Sequence, residues 1–374
     1  MGQFLIGSYI KTGPNTVDFA LRVLLNDFDQ LATGKVGDRV VAQIGRKVYK
    51  FVLMVAKADE EARCNIYGLP HWTSPEPCSE CLANRSNRQF TDLRPDATWR
   101  ATEGMAFELY RVRLTRPLHP LAASHYFCDR WFFFLDLMHL MDCKGVSSEI
   151  MGSVLSILSK RVEIGPNIAT RIARINQHKE AWYAANPGTH RLPTILARSL
   201  VGADGWASLS GPAIKAAATR AAAPWIAALS TELLTRDTEH DRQVKQLTAD
   251  LVAMYRVLYD HGIFIPDPAV AQLQTIIQRM GSTYQSLRQL SAAARQLHFR
   301  ISPKVHKMMH LPMMARVLNP RHIQNYAEES LVGTVARIWK GSLSGRQRRA
   351  VQRTVLAKKL TGLCCRLESL PPPQ

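Results

Sequence analysis

No stretch of this chain reaches the roughly eighteen apolar residues in a row that a membrane-spanning helix needs. The opening MGQFLIGSYIKTG has no basic region ahead of its short apolar run, so a secretory leader is not expected. Ile6 stands where the myristoylation pattern requires Ser or Thr. Cysteine is sparse and odd in number, seven in 374 residues, which argues against a secreted disulfide framework and for a reducing compartment. No internal repeat is evident.

Acid is the scarce charge. Thirty Asp and Glu face 48 Lys and Arg, giving a formal charge of +18 and a pI near 9.9. Such a balance favours a polyanionic partner, nucleic acid before an acidic membrane surface. The excess is uneven: from residue 295 onward there are fifteen Lys and Arg, three Glu and no Asp. Lys304, Lys307, Arg321, Arg346, Arg348, Arg349 and Arg353 are the candidate phosphate contacts in that segment. A solvated face is the plainer account of a charge run.

What is present begins with two apolar runs that end on a carboxylate. Residues 131–135, WFFFL, are apolar on both faces, as a strand buried in a sheet would be, and stop at Asp136. His139, Asp142, Lys144 and Gly145 follow, then a helical pattern. Residues 48–56, VYKFVLMVA, have the same character and lead to Asp59. In open α/β sheets ligands bind beyond the carboxyl ends of strands, so both acids are candidate metal ligands. Alternatively, Asp136 and Ser147 only cap a turn and a helix.

Between these runs, residues 64–100 are rich in Pro, Asn, Ser and Asp and form a loop. Cys78 and Cys81 have the C-x-x-C spacing of a zinc-binding turn, with Cys64 and His71 close upstream as further ligands. A long loop calls for a function or a staple; a pair of buried thiols is the alternative. Residues 146–297 turn helical, with segments at 154–164, 168–182, 214–234 (kinked at Pro224), 244–258, 270–280 and 284–297. Beyond them, His306 and His310 are four apart, on one face of any helix that carries both, while Met308, Met309, Met313 and Met314 argue equally for packing. Glu328 and Glu329 open an amphipathic helix, where an acid suits the positive end of the dipole.

Acid at a strand end, acid at a strand end, a helical insertion, then acid on a helix: this order resembles the CACTA (En/Spm-like) group of DDE transposases. KADEEARCNIYGLPHWTSPEPCSEC, FLDLMHLMDCKGVSSEIMGSVLSIL and SPKVHKMMH…NPRHIQNYAEESLVG carry the likeness, about a quarter of the chain. The resemblance implies a helix-rich α/β fold, a ribonuclease-H-like mixed sheet interrupted by an all-helical insertion. Core and Cys loop would occupy 1–145, the insertion 146–300, and closing helices with a basic tail 301–374. It implies Mg²⁺- or Mn²⁺-dependent cleavage and strand transfer of DNA. Asp59, Asp136 and Glu329 would be the catalytic carboxylates, His139 would orient a ligand or the scissile phosphate, and Cys78 and Cys81 would hold structural zinc. It also implies a nuclear location and leaves room for a homo-oligomer. No strand–Asp motif precedes Asp59, as in a truncated or decayed copy. The rival expectation is a non-catalytic, zinc-stabilised nucleic-acid-binding or chromatin-associated protein using the same basic surface.

Overall fold

In the computed structural model the described residues are 60–65, 68–103, 134–187, 190–209 and 211–326, with isolated positions between 22 and 48. The chain divides into two units, Phe28–Gln324 and one formed by Met1–Asp27 with Asn325–Gln374, and the helical core belongs to the first.

Helix Val146–Lys160 (α2; the short Glu60–Asn65 is α1) is buried on nearly every face. Its apolar residues, Ile150, Met151, Val154, Leu155 and Leu158, are fully enclosed. The serines between them are small enough to let neighbours approach and are hydrogen-bonded, as a buried hydroxyl must be. Ser147 Oγ meets Tyr255 OH at 2.7 Å and Ser156 Oγ meets His298 Nε2 at 3.1 Å. Ser153 Oγ accepts from the Phe299 amide at 3.0 Å. At Gly152 the 207–209 segment lies directly against the helix; a Cβ there would stand 2.3 Å from Ser208 and Leu209 backbone atoms.

Around α2 pack Ile168–Ala185 (α3), Ala216–Ala221 (α4), Ala223–Leu233 (α5) and Glu239–Tyr259 (α6), and Asp267–Ala293 (α7) packs on α6. Asn167 and Thr238 cap α3 and α6, their side chains accepting from the Thr170 and Asp241 amides at 2.9 and 3.2 Å. Pro224 sits in the first turn of α5, where its missing N–H costs nothing, so the expected kink is a break between two helices. α6 and α7 form a hairpin sealed by an apolar seam that includes Leu247, Leu251, Met254, Leu273, Ile277 and Met280. α7 runs unbroken through Gly281, where a side chain would press on the Leu93 carbonyl at 2.9 Å. Two short helices close the series, Pro303–Met308 (α8) and Leu311–Val317 (α9), with α9 against α7.

This arrangement overturns the expected α/β core. Among the described residues the β-pairing is limited to two hairpins of two-residue strands, Lys35–Val36 with Arg39–Val40 and Gln43–Ile44 with Lys47–Val48, a Val201–Ala207 bridge and a single bridge residue at Leu135. There is no mixed sheet among them to carry a ribonuclease-H-like site. Phe134 and Leu135 are buried, as expected, and the chain next winds into a π-helical turn, Met138–Asp142. Of the run 131–135 only Phe134 and Leu135 fall among the described residues, and Leu135 makes a β-bridge.

Candidate metal centre

The loop from residue 68 to 103 has few internal backbone ladders, and side chains hold its shape. Trp99 Nε1 donates to the Asp92 carbonyl at 2.6 Å, Thr102 Oγ1 accepts from the Leu82 amide at 2.9 Å, and Gln285 Oε1 on α7 accepts from the Leu93 amide at 2.7 Å. Arg63 on α1 reaches into the loop and bonds Ser79 Oγ at 3.1 Å and Glu80 Oε1 at 3.0 Å. Together these contacts set the Cys78–Cys81 turn against α8.

There the two cysteines meet two histidines from more than two hundred positions away. Cys78 Sγ lies 3.4 Å from His310 Nε2, and Cys81 Sγ lies 3.2 Å from His306 Nε2. The four donor atoms all fall within 4.8 Å of one another, and all four residues are buried. Bonds of 2.3 Å to sulfur and 2.0–2.1 Å to nitrogen place tetrahedral ligand atoms about 3.3–3.8 Å apart. The two Sγ–Nε2 separations of 3.4 and 3.2 Å lie at the short end of that spacing, close enough for one zinc ion between them.

The surroundings fit as well. His306 Nδ1 meets the Phe90 carbonyl at 3.0 Å, which fixes the proton on Nδ1 and leaves the Nε2 lone pair for a ligand bond. His310 Nδ1 lies 3.1 Å from Glu103 Oε1, at ion-pair distance though off-line for a hydrogen bond. The Glu80 amide donates to Cys78 Sγ at 3.3 Å, as a thiolate ligand would require. Trp99 and Phe90 press on the imidazoles, Trp99 at 4.5 Å from His306 and 5.2 Å from His310, Phe90 at 4.9 Å from His306.

Protonation follows from this crowding. Burial pushes the Cys78 thiol up, but the hydrogen bond from Cys81 and the charges of His310 and His306 outweigh it and hold Cys78 well below the usual thiol range. Burial and the neighbouring Cys78 push Cys81 upward. Burial opposes the charge on His310, yet Cys78 and Glu103 raise its pKa to about 9; at His306 burial prevails and lowers it. A divalent ion held by this cluster would displace whatever protons its ligating sulfur and nitrogen atoms carry.

The other residues singled out in the sequence lie elsewhere. Cys64 Sγ bonds the Pro70 carbonyl at 3.3 Å, and burial drives its thiol up to about 11. His71 Nδ1 meets Thr73 Oγ1 at 2.7 Å and its ring packs on Trp72. Neither enters the cluster. Asp136 is buried, bonded to His139 and capping its own turn by accepting from the Met138 amide at 3.1 Å. Asp59 and Glu329 lie outside the described residues, as do Arg346, Arg348, Arg349 and Arg353. Lys307 is buried in an ion pair with Glu60, and Arg321 stacks over Tyr259 with its guanidinium 4.7 Å from the ring centre. Lys304 donates to the Cys143 and Lys144 carbonyls, both at 3.0 Å.

The Mg²⁺ or Mn²⁺ carboxylate centre is therefore corrected. Among the described residues no mixed sheet aligns strand-end acids, and the group able to hold a metal is Cys78, Cys81, His306 and His310. Sulfur and imidazole suit zinc, whereas magnesium demands oxygen. The DDE transposase resemblance and its nuclease activity fall with the fold. Compared with protein-family models, curated proteins and solved structures, the chain matches none of them. Among the described residues no helix is long and apolar enough to cross a membrane.

Proposed function

We propose that the chain is a non-catalytic nucleic-acid-binding protein whose fold is held by one structural zinc ion, and that it works in the nucleus. The buried Cys78–Cys81–His306–His310 cluster carries the zinc half of this reading. A closed site with four protein donors leaves no position for water or substrate, which distinguishes a structural from a catalytic zinc. The ion would tie the loop before the helical core to the helices after it. The formal charge of +18 carries the other half, since phosphate neutralisation by Lys and Arg supplies most non-specific affinity for nucleic acid.

Two measurements test the halves separately. Purified protein should contain one zinc per chain and lose it when Cys81 and His306 are both replaced. It should also retain DNA or RNA with an affinity that falls steeply with salt, and should leave supercoiled DNA intact in Mg²⁺ or Mn²⁺. Metal-dependent nicking by the pure protein would sink the non-catalytic reading. Retention that ignores salt would sink the electrostatic one.

A further inference from the structure

A cleft of about 340 Å³ opens beside the metal centre. Its lining is unusually charged: Glu60, Asp136 and Glu149 against Arg63, Lys144, Arg300, Lys304 and Lys307. Most of these groups are already matched. Glu60 pairs with Lys307 and Arg63, Asp136 with His139, and Arg300 with Asp204. Glu149 accepts from Tyr284 OH at 3.2 Å and Ser302 Oγ at 3.3 Å.

Two cations are left over. Lys144 and Lys304 make no ion pair among the described residues. The Lys304 ammonium is anchored by the Cys143 and Lys144 carbonyls at 3.0 Å, which uses two of its three donors. Neutral carbonyls hold the ammonium in place without cancelling its charge. Lys144, in a left-handed turn with φ 49°, sits exposed at the rim.

The same cleft carries an aromatic surface. Trp72 lines it and is 41% exposed, an unusual position for the largest side chain in a molecule that encloses Trp99 and Trp225. Leu135, Leu140 and Pro303 supply the remaining apolar wall. Surplus ammonium groups at one part of a cleft and, at another, a partly exposed indole that already packs against the His71 ring match a ligand with a phosphate and a flat ring.

We infer that this cleft seats a single unpaired nucleotide, its phosphate on Lys304 and Lys144 and its base against Trp72. The ligand class rests on the proposed nucleic-acid function and narrows it: bases within a duplex are stacked on each other, so only an unpaired one offers a face to the indole. The volume suits one nucleotide, near the lower limit for small-ligand sites. A free nucleotide and a nucleotide within a strand share this chemistry.

Titrating the full chain with a short oligothymidylate, the corresponding duplex and thymidine 5′-monophosphate separates them. Trp72→Ala should weaken the oligothymidylate about tenfold and leave the duplex unchanged. Lys144→Gln should lower the salt slope for the oligothymidylate by about 0.7. Lys304→Gln should weaken both single-stranded ligands, with zinc content as the control for folding. Binding of the strand alone identifies a strand segment as the occupant, and equal binding of the monophosphate identifies a free nucleotide. Variants with full zinc content that bind all three ligands like the parent overturn the inference while leaving the nucleic-acid function intact. A parent that binds monophosphate but retains no DNA or RNA overturns only the broader function.

Discussion

At the scale of single residues, the four ligands differ from their near neighbours in what their donor atoms face. Cys81→Ser or His306→Ala should abolish tight zinc binding and destabilise the protein by on the order of 3–5 kcal/mol, read from metal content and a denaturant titration. His71→Ala and Cys64→Ala should leave zinc content unchanged, because those side chains bond Thr73 and Pro70 instead. Glu149 offers a separate test. Burial raises its carboxyl to about 7, against the hydrogen bonds from Ser302 and Tyr284 and the charges of Arg300 and Lys304. The folded state therefore keeps a proton that the unfolded state loses near pH 4.5. The stability this proton contributes is fully present below that point and is lost as pH rises through 7. Glu149→Gln should be more stable than the parent at pH 8, by about 1–2 kcal/mol after allowance for partial exposure, with the advantage shrinking toward pH 5. An advantage that is constant with pH would contradict the assignment.

At the scale of elements, most of the helical block was legible. Segments at 168–182 and 244–258 lie within α3 and α6, because amphipathic spacing and capping residues act locally. Long-range packing was not legible. Gly281 is a helix breaker in sequence, but in the fold it lets α7 pass the Leu93 carbonyl. The run 131–135 invites a strand because an unbroken apolar stretch lacks the periodicity that separates strand from helix, and only its last two residues fall among the described ones. The C-x-x-C turn and the His306–His310 pair are each visible in the sequence, yet nothing local joins residues more than two hundred apart. Proximity along the chain instead favours Cys64 and His71 as the missing ligands, and the fold turns both away. At Gly152 the helix approach is closer still. Gly152→Ala gains at most about 1 kcal/mol in helix propensity. It would thrust a methyl into the Ser208–Leu209 backbone at 2.3 Å, and overpacking of that kind costs roughly 1–3 kcal/mol. The clash should win, giving a net loss of stability in thermal unfolding; a gain would mean that the 207–209 segment gives way freely.

At the scale of the whole molecule, the cluster joins two parts of the chain that the helical core separates. Its ligands come from a loop ahead of α2 and from α8 with the residue opening α9, so an ion bound there links the loop to the helices across the intervening core. Metal that binds only the folded state stabilises it by mass action. Chelation should therefore lower the unfolding midpoint of the parent and leave a Cys81→Ser/His306→Ala variant unmoved. Equal shifts in both would place the metal elsewhere. The most direct measurement is zinc K-edge X-ray absorption on the purified chain. Two sulfur neighbours near 2.3 Å and two nitrogen neighbours at about 2.0–2.1 Å are the expected shell; a shell of oxygen and nitrogen alone, or zinc retained after Cys78 and Cys81 are both replaced, would contradict the account.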